Sequence, residues 1–293
     1  MVSGPIKNDM SSKSRLASPE AGAEIAAPTA PLRLQAAKWP DLLAFAIFLG
    51  LLILLVLRGA SAMDYNWQWT RMMPYIVRNV DGQLIPGLLL KGLRVTLEIS
   101  FFAMLIALPL GLATALLNLS KRPVSVFIAR LYIELIRNTP ILLQILIFYF
   151  IVAKVIGIDR WWAGVLTLAL YEGAFAAEII RGAILAVSRG QWEAAASLPL
   201  GRIDTYRFIV LPQALPLMVP PLTGVLVNVV KHSSIVSVIA IFDLTNEGRS
   251  IATDTFMSFE VWLTVAALYL IVTVSLSLVA AWLERKLEHG SST

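Results

Sequence analysis

Long runs without a single charged residue constrain this chain more than anything else in it. Ile99–Ser120 and Val261–Leu283 are each long enough to cross a bilayer, which takes about 20 residues. Leu42–Leu57 is shorter and crosses with help from its flanks. Thr139–Ala153, between Arg137 and Lys154, is expected to continue a helix that begins near Phe127 and kinks at Pro140. Trp161–Ser188 crosses only if Glu172, Glu178 and Arg181 are tolerated inside it, and Leu222–Phe242 only if Lys231 is. The expectation is therefore six spans in an all-α polytopic membrane protein. With 15% charged residues against about 25% in soluble domains, composition agrees.

Several chemistries are excluded or left without a home. The absence of cysteine removes disulfides, thiolate metal sites and a Cys nucleophile. The two histidines, His232 and His289, are too scattered for a zinc site. There is no G-x-x-x-x-G-K-[ST], H-E-x-x-H or G-x-S-x-G, so nucleotide-phosphate cradling and hydrolase chemistry are not expected, and neither is a cofactor. The net charge of +5 is modest and implies no nucleic acid.

Loop charge sets the orientation. Residues 119–130 carry Lys121, Arg122 and Arg130 and no acid, which places them in the cytoplasm. Residues 243–260 carry Asp243, Glu247, Asp254 and Glu260 against Arg249, which places them outside. Both termini are then cytoplasmic, although Arg58, Arg71, Arg78 and Lys91 in the outer loop 58–91 run against the rule. Trp39, Trp161, Trp162, Trp262 and Trp282 fall near the expected interfaces, and Tyr65–Trp69 is expected along the outer surface. The boundaries are a disordered tail over 1–37, an extra transmembrane helix over 38–58, a periplasmic segment over 59–87, a transmembrane domain over 88–287 and a C-terminal tail over 288–293.

Between two spans lies EAAASLPLGRIDTYRFIVLP, Glu193–Pro212. Ser188 followed by Gln191 is a capping-box pattern, so a helix is expected from Arg189. Three alanines favour it, and Pro199 ends it at Leu198. A second short helix is expected from about Arg202 to Val210, until Pro212. A connector needs only a few polar residues. A helical knob suits docking in a groove on a soluble partner.

The knob resembles the EAA loop of ABC importer permeases. Glu193, Ala194, Ala195, Ile209, Leu211 and Pro212 fall on that motif's spacing, while Pro199 stands at its glycine position and Gly201 follows two residues later. LYIELIRNTPILLQ, AAEIIRGAI, RGQWEAA, LPQALPLMVPPL and SSIVSVI are similar to the polar amino acid permease family over about residues 88–287. In one departure, Lys231 is followed by His232 where that family often has Asp. The resemblance implies a five-helix type I importer core in the bacterial inner membrane. It also implies a second permease subunit, two ABC ATPase subunits that grip residues 188–212, and a periplasmic amino-acid-binding protein.

Glu172 and Lys231 lie about 18 Å and about 15 Å into their spans at about 1.5 Å per residue, near the midplane, where a charge needs a partner or water. With Asn228, they form a set able to meet the ammonium and carboxylate of an amino acid; a structural Glu172–Lys231 pair is the competing expectation. Gln144 and Glu98 are further pathway candidates. Glu178 and Arg181, three residues apart, are expected to satisfy one another. A secondary amino acid transporter is the alternative function, but it should show an internal repeat, and none is visible.

Overall fold

The computed structural model describes residues 39–62 and 65–290. The expected tail over 1–37 and the end of the C-terminal tail, 291–293, lie outside them. Two units are distinguished, one ending at Tyr65 and one beginning at Asn66. The first contains α1 (Trp39–Ala62), with exposed apolar side chains such as Phe45, Leu51 and Leu55.

The second unit opens with a segment that is not helical throughout. Val77–Val80 (β1) and Gln83–Pro86 (β2) pair antiparallel with Val77 opposite Pro86. Asp81 and Gly82 join them with φ of 51° and 81°, the two left-handed residues of the turn that matches strand twist. The preceding aromatic segment stacks Trp67 on Trp69 and places Trp67 beside Phe259, while the Gln68 amide donates to the Glu260 carboxylate at 2.6 Å.

The remainder is helical: α2 (Leu88–Asn118), α3 (Pro123–Arg137), α4 (Ile141–Ile156), α5 (Arg160–Ala186), α6 (Arg189–Ala196), α7 (Arg202–Ile239), α8 (Leu244–Thr255) and α9 (Ser258–Gly290). α2, α5, α7 and α9 are long and apolar enough to cross a membrane, and α3 with α4 makes a fifth span if the bent pair is counted as one. The single kinked helix expected around Pro140 is thus two helices bent by 108°. Pro140 has no N–H to donate and disfavours helical backbone at Thr139. The carbonyls freed at the break find another donor: Gln144 Nε2 bonds the oxygens of Ile136 and Thr139, while Asn138 Nδ2 adds a bond to the Glu134 oxygen, which still accepts from the Asn138 amide.

α2 and α5 form the centre because both present small residues every fourth position. Ala103, Ala107, Gly111 and Ala115 on α2 are buried, as are Ala169, Gly173 and Ala177 on α5. Within a bilayer, where apolar area alone does not draw helices together, this spacing permits close backbone approach. A Cβ at Gly111 would lie 2.8 Å from Ala176 Cβ and 3.0 Å from the Gly173 oxygen. Around this seam Ile99, Ile145, Val165, Leu168, Val229 and Val236 fill the core.

The acidic stretch 243–260, expected as an outer loop, is largely the helix α8. Asp243 caps it, accepting from the amides of Thr245 and Asn246 at 3.2 and 3.0 Å. Burial holds the Asp243 carboxyl above its usual range, and burial together with the neighbouring Asp243 does the same for Glu247.

Candidate functional site

α6 starts directly after Ser188, but the capping box is not made. The Ser188 side chain makes no capping hydrogen bond, and the Gln191 amide oxygen instead accepts from Gln213 Nε2 at 3.2 Å, tying α6 to α7. α6 stops at Ala196, two residues before the expected Leu198, and turns through Pro199 and Leu200. Gly201 then caps α7 in an extended conformation, its carbonyl accepting from the Thr205 amide at 2.9 Å and the Thr205 hydroxyl at 3.1 Å.

The second helix does not end at Pro212. It continues from Arg202 as one helix to Ile239. A π turn over Tyr206–Val210 shifts the amide-to-carbonyl pairing by one residue just before Pro212. The missing Pro212 N–H therefore falls where the ladder is already out of α register.

Inward-facing residues hold the knob to the membrane domain. Ala195, Val210 and Ala214 are buried with Ala115, Ile180 and Met218, and the Trp192 ring meets Tyr206 edge-on at 5.6 Å. Glu193, Ala194, Pro199, Gly201 and Pro212 are exposed, with Ile209 and Leu211 half-buried. Arg189 Nε donates to Glu193 at 3.0 Å. Ile203 and Phe208 add exposed apolar surface, at 81% and 62% accessibility, among the charged Arg202, Asp204 and Arg207. A cavity of about 750 Å³ separates the knob from the α2–α3 loop and is lined by Lys121, Arg122, Trp192, Arg202 and Tyr206. The knob and that basic loop therefore share one end of the molecule.

Deeper in the spans, Glu172 is 2% exposed, and its carboxylate lies 2.6 Å from His232 Nδ1. The expected partner Lys231 is its neighbour in sequence but points elsewhere, because adjacent residues on a helix sit about 100° apart. With the carboxylate ionised, His232 Nδ1 carries the proton and Nε2 remains for another partner. The Tyr171 ring stands edge-on to the imidazole at 5.4 Å. Exposed Lys231 instead lines a cavity of about 330 Å³ between α7 and α9 with Asn228, Ser277 and Glu284. Thr223 Oγ1 donates to Glu284 at 2.6 Å beside it.

The other candidates have local partners. Gln144 serves the break before α4, also donating to Thr139 Oγ1 at 2.7 Å. Glu98 accepts from Arg94 Nε at 2.7 Å, one turn away on α2. Arg181 donates to both oxygens of Glu178 at 2.9 Å, and Arg137 of α3 approaches the same carboxylate at 3.8 Å. His232 is the residue that sequence reasoning weighed as a zinc ligand and noted as a departure, but not as the partner of Glu172. The signal available was a second ionisable group inside an apolar run, adjacent to Lys231.

Comparison with known proteins matches this arrangement. A family model described as binding-protein-dependent transport system inner membrane component covers residues 107–289. The glutamine transport system permease protein GlnP of Escherichia coli (strain K12) is 36% identical over 204 residues, 69% of this chain and 93% of that protein. The probable glutamine ABC transporter permease protein GlnM of Bacillus subtilis (strain 168) is 36% identical over 202 residues, 69% of this chain and 94% of that one. A crystal structure of an amino acid ABC transporter with histidines has a TM-score of 0.63 at 37% identity, covering 68% of this chain and 94% of its own. An inward-facing MetNI methionine ABC transporter structure, 20% identical with a TM-score of 0.62, shares the fold.

Proposed function

This chain belongs to the family of binding-protein-dependent transport system inner membrane components, and from that footing we propose that it carries a polar amino acid of the glutamine type inward. It is a multi-pass permease subunit of an ABC importer, a non-catalytic component whose ATP hydrolysis belongs to separate subunits. In this reading two ATPase subunits grip the knob formed by α6 and the start of α7, with Glu193, Ala194, Pro199 and Gly201 at the contact and Ile209, Leu211 and Pro212 setting its base. A second permease subunit completes the pathway and a periplasmic binding protein delivers the amino acid. The knob and both termini are cytoplasmic, residues 59–87 are periplasmic, and α1 is an extra span outside the core over 88–287.

The observation that carries this reading is the knob itself: a two-helix unit with exposed Glu193, Ile203 and Phe208, set across a cavity from the basic α2–α3 loop. Loop cations favour the cytoplasmic side, where the ATPases are. The pathway is assigned to Glu172, His232, Asn228 and Lys231. Glu172 and His232 offer a polar acceptor and donor at depth, and Lys231 with Asn228 offers donors for a carboxylate.

Reversing Glu193 to Lys tests the coupling. Opposed charges across an interface steer association and fix its register. Glu193→Lys should release the ATPase on co-purification or abolish substrate-stimulated hydrolysis in proteoliposomes, with membrane insertion unchanged. Full retention and full stimulation, both there and after a glycine insertion following Pro199, would reduce the knob to a connector.

A further inference from the structure

One face of α3 packs on the membrane domain through Ala129, Ile133 and the Tyr132 hydroxyl, which donates to the Leu170 oxygen at 2.6 Å. The opposite face is apolar and open: Val124, Phe127, Ile128, Leu131 and Leu135 are 68%, 65%, 55%, 47% and 57% exposed. Along it runs a groove of about 490 Å³ floored by Val126, Phe127 and Leu131, with Lys121 and Arg130 on its walls. Glu134 also lines it but is bonded to Asn138 Nδ2 at 2.7 Å. Neither Lys121 nor Arg130, nor the adjacent Arg122, makes a salt bridge among the described residues. The 108° bend after Asn138 turns α3 sharply away from α4.

We propose that this groove seats an anionic phospholipid, with its acyl chains on Phe127 and Leu131 and its phosphate between Lys121 and Arg130. Three features converge on that occupant. An apolar helix face flanked by Lys121 and by Arg130, which also lies within electrostatic reach of the Glu178 carboxylate, is the signature of a helix lying at the bilayer interface. The cations stand where the apolar groove begins, so headgroup and chain are met together. Loop cations near an anionic membrane surface are each worth about fivefold in binding. Lys121 also borders the cavity shared with Trp192 and Tyr206, so the lipid would sit beside the knob and brace the α2–α3 loop against it. The placement does not depend on which amino acid is carried.

The test uses the full chain in its complex, extracted gently and examined by native mass spectrometry after titration with phosphatidylglycerol or phosphatidylcholine. Wild type should retain phosphatidylglycerol in preference to phosphatidylcholine. Lys121→Gln with Arg130→Gln should lower that retention by about tenfold or more. Lys121→Arg with Arg130→Lys should preserve it, and Phe127→Ala should lower it without altering charge. Equal retention of both lipids, or unchanged retention in the neutralised variant, overturns the site. So does displacement of the lipid by inorganic phosphate at millimolar concentration, which would mark a soluble-anion site. Loss of the second permease subunit from the neutralised variant would mark the face as a subunit interface and overturn it too. Retention is read on the permease itself, so it stands or falls separately from ATPase coupling.

Discussion

α5 and α9 are both long apolar helices, yet 67% of the most apolar stretch of α5 is buried and only 11% of that of α9. The sequences differ accordingly. α5 is built of alanines and glycines and carries Glu172, Glu178 and Arg181, each with a partner in the chain. α9 carries exposed Leu263, Leu270, Ile271, Leu278 and Trp282, and its hydroxyls at Thr273 and Ser277 bond only to its own backbone. A span buried in protein can afford ionisable groups because neighbours supply partners; one facing lipid or another subunit cannot. Mean hydropathy passes both as spans and is higher for α9, but small-residue spacing with internal charge is what marks the buried one.

The largest expected break comes from overpacking. Gly111→Leu drives a side chain into Ala176 and the Gly173 backbone of α5, and the backbone cannot step aside. Overpacking costs about 1–3 kcal/mol and at times more, so the variant should fail to accumulate as folded protein. Ala267→Leu on exposed α9 should shift stability by no more than about 0.5 kcal/mol, read by thermal melting in detergent. A large loss from Ala267→Leu in the assembled complex alone would locate a covered face on α9.

Next is the Glu172–His232 pair. Removing one partner of a buried pair costs about 3–5 kcal/mol, tempered here because His232 is half-buried. Glu172→Gln should depress uptake strongly and melting moderately, and adding His232→Asn should cost less than the two single losses combined. Lys231→Met should lower uptake with melting unchanged, since its side chain is exposed. Additive effects of the first two changes would deny their coupling.

A smaller effect is expected at Tyr132, whose hydroxyl bonds α3 to the Leu170 carbonyl of α5. Tyr132→Phe should cost about 0.5–1.5 kcal/mol, and Ser277→Ala on α9 close to nothing. The smallest concerns pH outside the spans. Burial raises the Asp243 carboxyl, so the folded state holds its proton more tightly than the unfolded state does. Its contribution is greatest at low pH and declines as pH rises through the raised value. Asp243→Asn, which keeps a capping oxygen, should flatten that decline in melting curves across the acidic range.

What was readable in advance was local. The uncharged runs located α2 and α9, runs that had to tolerate Glu172, Glu178, Arg181 and Lys231 located α5 and the later part of α7, and Ser188, Pro199 and Gly201 marked the start of α6, its end to within two residues and the start of α7. What escaped depended on distance along the chain. Pro140 announced a disturbance, but not a 108° break whose freed Ile136 oxygen is met by Gln144 from eight residues away. Glu172 and His232 are separated by 60 residues, so helical spacing could suggest depth but not partnership. Pro212 read as a terminator because the π turn that accommodates it leaves no mark in composition. Asp81-Gly82 was a hairpin signal within reach that an all-helical expectation passed over.

The prolines of α7 have a mechanical consequence. Pro216, Pro220 and Pro221 stand inside α7 beyond the π turn, and Pro221 sits about 100° round the helix from Pro220. Each lacks an N–H, so carbonyls on more than one side of the helix lose their rung of the ladder. The rod from Arg202 to His232, about 45 Å at 1.5 Å per residue, is therefore softened near its middle and stiff on either side of it. A push on the knob would travel along this strut towards His232, with bending gathered at the proline stretch and no loop between them to absorb the stroke.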